Sequence, residues 1–222
     1  MMDGHSAGSL GTAHRRLEQI MVLERALRHD ARDILRSVST ALVLAGLGSV
    51  LSSDGGIAGG ATQDLYELSR PCETLDYFVS HSWRQGRWIK LFALCKHLHW
   101  AFAFALSVVA LVVSAAAYFT WAPDTLCTDR QPASVYIRAS AVVVVPGVVF
   151  AVAMFLGHRV PFLQADCFVD KLCIHQTDDR LKAKAIDSFD LYLRFSRRMI
   201  VLWSPPYMTR IWCVYELSLI HI

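Results

Sequence analysis

Apolar and polar positions change rhythm several times along this chain of 222 residues. Residues 1–14 are rich in Gly, Ser, Ala and His and predict no packed structure. From Arg15 to about Val38, Leu17, Ile20, Met21, Leu27, Ala31, Ile34 and Leu35 recur at helical spacing. Glu18, Glu24, Arg25, Arg28 and Asp30 lie off that face. Ala41 to Leu51 is apolar but only about 11 residues long, short of the ~20 that a helical membrane span needs. With acids upstream and so far from the start, it is a poor secretory signal. The pattern therefore predicts a helical segment over 15–51. A glycine-rich linker over 52–64 follows.

Beyond the linker the periods alternate. Leu75 to Ser80 is a short β-prone run ending in His81-Ser82-Trp83, and Trp88 to His99 has helical spacing. Residues 65–99 form the first part of a domain. Trp100 to Trp121 then runs for about 22 residues without a charge, roughly 33 Å as a helix against a hydrocarbon core of about 30 Å. Trp100, Tyr118, Phe119 and Trp121 stand near its ends, as interfacial anchors do. Ala139 to Gly157 is a second uncharged run, and a membrane tolerates its Pro146-Gly147 pair better than water does. Two transmembrane helices, 100–121 and 139–157, and an extracytosolic link, 122–138, are expected. Arg84, Arg87, Lys90, Lys96, Arg159 and Lys171 fall on the outer flanks, which places both flanks in the cytosol. Which membrane is involved stays open.

Residues 158–222 return to globular rhythm. Asp166 to Asp170 predicts a strand and Lys171 to Asp179 a polar loop. Arg180 to Arg194 predicts a helix and Met199 to Trp203 a strand. Ser204 to Tyr207 turns into a last helix from Arg210. Strand and helix alternation of this kind predicts a parallel, doubly wound α/β sheet.

Composition agrees with membrane segments: 54% hydrophobic, 18% charged, where a soluble domain carries about 25% charge. A net charge of +3 without basic runs argues against nucleic acid. The six cysteines form no CxxC pair. Cys167, Cys173 and His175 lack a second ligand pair, so no metal site is expected, and the thiols read as small buried hydrophobes. Neither span carries an ionisable residue, which weakens a channel or transporter reading.

Several segments carry a family resemblance. Asp76 to Ser80 with His81-Ser82-Trp83 resembles the first strand of a TIR (Toll/interleukin-1 receptor) domain. Phe168 to Ile174 resembles the second strand entering the contact loop. Ser196-Arg197-Arg198, Met199 to Trp203, Ser204-Pro205, Tyr207, Arg210 and Trp212 to Leu217 resemble the third strand and its helix. About a third of the chain is covered. The likeness is greatest to a membrane-inserted branch seen in unicellular algae. Three features depart from the family: the hydrophobic insert, Ile174-His175-Gln176 where a glycine is common, and an end before the fourth and fifth strands. The fold expected is thus a TIR-like (flavodoxin-like) parallel sheet, incomplete and interrupted by a transmembrane hairpin. Either a truncated product or a domain completed by another chain fits.

In an open sheet, ligands sit outside the carboxyl ends of the strands. Those ends supply Ser80, His81, Ser82, Trp83, Asp170, Lys171 and Ser204 as candidate binding residues. The resemblance implies that Glu216 matches the glutamate essential in family members that cleave NAD. There it would hold ribose hydroxyls and stabilise the cation formed as nicotinamide leaves. In members that only assemble, the same motif packs. Two readings follow: a signalling module that associates with other TIR-like domains, including its own copies, or an NAD nucleosidase switched on by that association. NAD is then substrate, and no cofactor is expected. Ser80, Ser82 and Ser204 lack the His-acid pattern of a hydrolase nucleophile.

Overall fold

The computed structural model describes residues 34–52, 62–121 and 132–220. The expectations for 1–14, most of 15–51, the middle of the 52–64 linker and most of the 122–138 link lie outside those residues. The described chain forms two compact units. One comprises 34–38, 62–80 and 166–220, the other 39–52, 81–121 and 132–165.

The first unit is an α/β sheet with helices. Its strands are β1 (Arg36–Ser39), β2 (Arg70–Pro71), β3 (Leu75–His81), β4 (Asp166–Phe168) and β5 (Ser196–Leu202). They lie in the order β2-β1-β4-β3-β5. β3 and β4 run parallel, Tyr77 opposite Cys167 and Phe78 opposite Phe168. β1 and β2 run antiparallel, which makes the sheet mixed where the sequence pattern predicts a parallel one. The antiparallel pair occupies one margin, where Pro71 of the two-residue edge strand costs no ladder bond. β1 also corrects the N-terminal reading, because 36–39 is a strand inside the segment predicted to be helical. Its place in the sheet explains this: Cys167 Sγ donates to Val38 O at 3.3 Å, and Cys72 N donates to Leu35 O at 3.0 Å.

The core of this unit is aromatic. Phe78 stacks on Phe168 at 4.8 Å and meets Phe189 edge-on at 5.5 Å, and Tyr192 lies 4.4 Å from Phe168. All four are fully buried. Phe189 and Tyr192 come from α7 (Phe189–Arg194), which follows α6 (Asp179–Asp187) across a break at Ser188. The single helix predicted over 180–194 is therefore two. Asp178 starts α6 by accepting from Arg180 N and Leu181 N at 2.9 and 3.1 Å, satisfying two amides that the helix leaves over. Three further helices complete the unit: α2 (Thr62–Glu67), α5 (Asp170–Cys173) and α8 (Ile211–Ile220). α2 begins within the predicted linker, and α5 puts a helical turn at the start of the predicted polar loop.

The second unit contains α1 (Thr40–Gly48) and two long helices, α3 (Arg87–Trp121) and α4 (Pro132–Leu156). The helix predicted over 88–99 and the apolar run after it are one rod of 35 residues. α3 and α4 pack antiparallel: Phe92 meets Phe155, and Trp100 meets Phe150, each at 5.3 Å between ring centres. Ser107 Oγ donates to Pro146 O at 3.1 Å. Both helices are long and apolar enough to cross a membrane, and they expose large side chains such as Val112, Val113, Phe119 and Val143. At the open end of the pair, a Cβ on Gly157 would sit 2.8 Å from the His99 ring, so only glycine fits there.

Residues 45–47 interrupt α1, and Gly46, Leu47 and Gly48 all take positive φ. This turns the short apolar run back so that Gly48 lies against Leu91 of α3. Lys90 is fully buried below it, donating from Nζ to Leu51 O at 2.9 Å and lying 4.7 Å from the Trp83 ring centre.

Candidate functional site

Ser80 is near the carboxyl end of β3, a strand flanked on both sides by others, and is fully buried. Its hydroxyl meets two groups from the segment after β5. It donates to Glu216 Oε2 and shares a hydrogen bond with Tyr207 Oη. A serine has one proton to give. With that proton committed to Glu216, the Tyr207 hydroxyl donates to Ser80, making a chain Tyr207–Ser80–Glu216.

Local structure delivers each partner. Ser204-Pro205-Pro206 forces a turn after β5, and Tyr207 N closes it on Ser204 O at 2.8 Å. Tyr207 opens a short 3-10 turn, Tyr207–Thr209, with its ring fully buried. Glu216 lies in the second turn of α8, 5% exposed.

The electrostatics follow from this enclosure. Burial, with the Asp170 carboxylate adding to it, raises the Glu216 carboxyl to about 7, while the Ser80 hydrogen bond pulls the other way. Burial raises the Tyr207 phenol to about 12 and the Cys213 thiol to about 11, the Glu216 charge adding to both. A carboxyl that titrates near neutrality can accept or donate a proton. Being nearly closed to solvent, Glu216 in this arrangement offers it to Ser80 and not to an open cleft.

The residues selected from sequence divide into three sets. Ser80 and Glu216 are in contact, and Asp170 is near enough to act on Glu216 by charge. Lys171 sits beside them in sequence, its amide donating to Asp170 Oδ1 at 2.6 Å. Ser204 is buried, with an Oγ that has no partner among the described residues. His81, Ser82 and Trp83 belong to the second unit. There His81 packs edge-on against Trp83 at 4.3 Å and Lys90 approaches the same ring, so the indole is taken up by its own neighbours. Tyr207 is the member that sequence reasoning did not select as a site residue. Its signal was the double proline that fixes the turn before it.

A cavity of about 640 Å³ lies elsewhere in this unit, beside β5, lined by Phe78, Arg194, Arg197, Arg198, Met199 and Leu219 among others; Glu216 does not line it. Cys167 and Cys173 are buried, and burial pushes the Cys173 thiol up to about 12. His175 packs against Tyr66 at 4.8 Å and accepts from Asp178 N at 2.9 Å. Among the described residues no group of three His, Cys, Asp or Glu could hold a metal ion. No family model, curated protein or solved structure matches the chain.

Proposed function

We propose that this protein is a membrane-anchored, TIR-like assembly module, whose α/β unit faces the cytosol and works by associating with copies of itself. The observation that carries the anchor is the pair α3 and α4, which are inserted in sequence between β3 and β4 and expose their apolar side chains. A soluble protein would cover such a surface. Support for the TIR-like fold comes from the order β4-β3-β5, which is second, first, third, as in flavodoxin-like sheets. Support for association comes from the helix after β5. Ile211, Val214 and Tyr215 are exposed there, Ile211 by 87%, with Met208 exposed in the turn before it.

Cysteine labelling in sealed vesicles tests the topology. Cys127, in the link between the helices, is expected to label from the side opposite the thiol of Arg180→Cys, an exposed position of the sheet unit, when sealed and detergent-permeabilised vesicles are compared. Labelling of both from one side removes the anchor. For assembly, crosslinked oligomers are expected to diminish in Ile211→Asp, and in Asp170→Ala or Lys171→Ala, with insertion intact. Oligomers unchanged in all three overturn self-association.

The second reading, NAD cleavage, is favoured by one observation, the near-neutral Glu216 carboxyl of α8 held against Ser80 of β3. It requires the Ser80 contact to open so that Glu216 can reach a ribose. Nicotinamide release by wild-type protein at high membrane density, and its loss in Glu216→Gln by ~100-fold or more, would establish it.

A further inference from the structure

The first half of β5 borders a hollow that the candidate site does not use. That site follows the carboxyl end of the strand, whereas Ser196 to Met199, at its start, line the cavity of about 640 Å³. The apolar wall of the cavity comes from four elements: Phe78 of β3, Leu193 of α7, Met199 of β5 and Leu219 of α8. Leu193, Met199 and Leu219 are only half-buried. Arg194, which ends α7, and Arg197 and Arg198 of β5 bring positive charge to the same wall. Asp190, one turn before Arg194, is the carboxylate among the described residues that line it.

Size and wall chemistry together define what fits. Hollows of ~300–1,000 Å³, with apolar walls and a few polar groups that converge, are the usual form of small-molecule sites. Three guanidiniums and one carboxylate give this wall a surplus of two positive charges. Arg197 also reaches Asp76 at 3.2 Å, so Arg194 and Arg198 are the pair assigned to a ligand. A planar guanidinium meets phosphate oxygens through two parallel hydrogen bonds. A phosphate monoester carries ~1.5–2 negative charges at neutral pH, close to the surplus of the wall. An apolar body attached to that phosphate gains by covering the half-buried side chains.

We propose that this hollow binds a small organic phosphate, a phosphate monoester on an apolar body. Arg194 and Arg198 hold the phosphate oxygens, and the body lies against Leu193, Met199 and Leu219. The proposal rests on neither the anchor nor the assembly reading, because every lining residue it uses belongs to the sheet unit.

Equilibrium dialysis of the full chain in phosphatidylcholine nanodiscs, with empty discs as the blank and 1-naphthyl phosphate as the probe, tests it. Wild type is expected to bind this probe ~10-fold or more tightly than methyl phosphate, which has the same charge and almost no apolar body. The double variant Arg194→Gln, Arg198→Gln is expected to bind naphthyl phosphate ~10-fold or more weakly. Arg180→Gln, at an exposed position outside the lining, is expected to bind it as wild type does. Should the double variant fail to fold, wild type in ~1 M salt, where screening reaches ~3 Å, is expected to show the same loss. No binding above empty discs, or equal affinity for the two phosphates, overturns the proposal. So does an affinity for naphthyl phosphate that survives both the double variant and salt, or one that falls equally in Arg180→Gln. None of these results touches the labelling and crosslinking tests of the anchor and of assembly.

Discussion

The sheet unit and the helical-pair unit satisfy their buried polar side chains with different sets of partners. The sheet unit uses backbone carbonyls too, Tyr192 Oη donating to Ile34 O at 2.7 Å, but adds contacts between polar side chains: Tyr207, Ser80 and Glu216 in the interior, Arg70 with Asp166 at 2.8 Å and Arg197 with Asp76 at 3.2 Å nearer the surface. In the helical unit they meet backbone carbonyls. Lys90 reaches Leu51 O, His99 Nδ1 contacts Met154 O at 2.8 Å, and Ser107 donates to Pro146 O. Leu51 ends a 3-10 turn and Met154 is in the last turn of α4, where helices leave carbonyls unpaired. Where the surroundings are apolar and no carboxylate is among the described residues, backbone carbonyls are the acceptors available, two of the three at helix ends. The lesson is that polar residues in the helical unit stabilise its irregular places, whereas those of the sheet unit form a network able to titrate.

The sharpest way to break this contrast is to remove the core of one unit only. Phe78→Ala takes a fully buried ring from between Phe168 and Phe189, and such truncations cost about 3–5 kcal/mol. Limited proteolysis is expected to cut within 166–220 while a fragment spanning 87–156 stays protected. If both regions become sensitive together, the two units fold as one and the contrast is only one of composition.

Next in size is the titrating network. Glu216 is held near 7 in the folded chain against an ordinary 4.5, so the folded state keeps a proton that the unfolded chain gives up between those values. Its stabilisation is complete below pH 4.5 and is lost as pH rises through 7, an effect on the order of 3 kcal/mol. Denaturant titrations at pH 5 and pH 8 are expected to show the sheet unit weaker at pH 8. Glu216→Gln, neutral at both, should flatten that slope and be the more stable form at pH 8. A variant whose slope matches wild type shows that the carboxylate is charged throughout and that the network does not titrate as described.

The smallest effect sharpens the helical side. Lys90→Met keeps the apolar stem but leaves Leu51 O without its ammonium donor, a loss of about 1–3 kcal/mol. Amide exchange in residues 40–51 is expected to speed up with that of α4 unchanged. No change in 40–51 would mean that apolar packing alone, with Gly48 against Leu91, holds this segment.

Much of the fold was legible locally because its signals are local. An uncharged run of about 22 residues needs no tertiary context to be recognised as a long apolar helix. The β-prone runs Leu75 to Ser80, Asp166 to Asp170 and Met199 to Trp203 overlap the three strands that the structure contains there, with ends shifted by one to three residues. The errors came where a pairing partner or a packing demand overrode local rhythm. Ile34 and Leu35 continue a helical period, yet 36–39 pairs with β2 and adjoins β4. Leu181 to Leu193 keeps helical spacing straight through Ser188, where the chain breaks so that Phe189 and Tyr192 reach the aromatic core.

For the candidate site, strand ends in an α/β sheet gather on one side, which pointed to Ser80 and Asp170, and the family resemblance pointed to Glu216. Sequence also determined the two long apolar helices, a property of composition along the chain. Only tertiary structure decided that Glu216 is enclosed, that Tyr207 joins it through Ser80, and that its carboxyl titrates near neutrality. Proton affinity depends on how much water remains around a charge and which charges lie near it. Residues 80, 170, 207 and 216 are far apart in the chain, and folding alone brings them to one place.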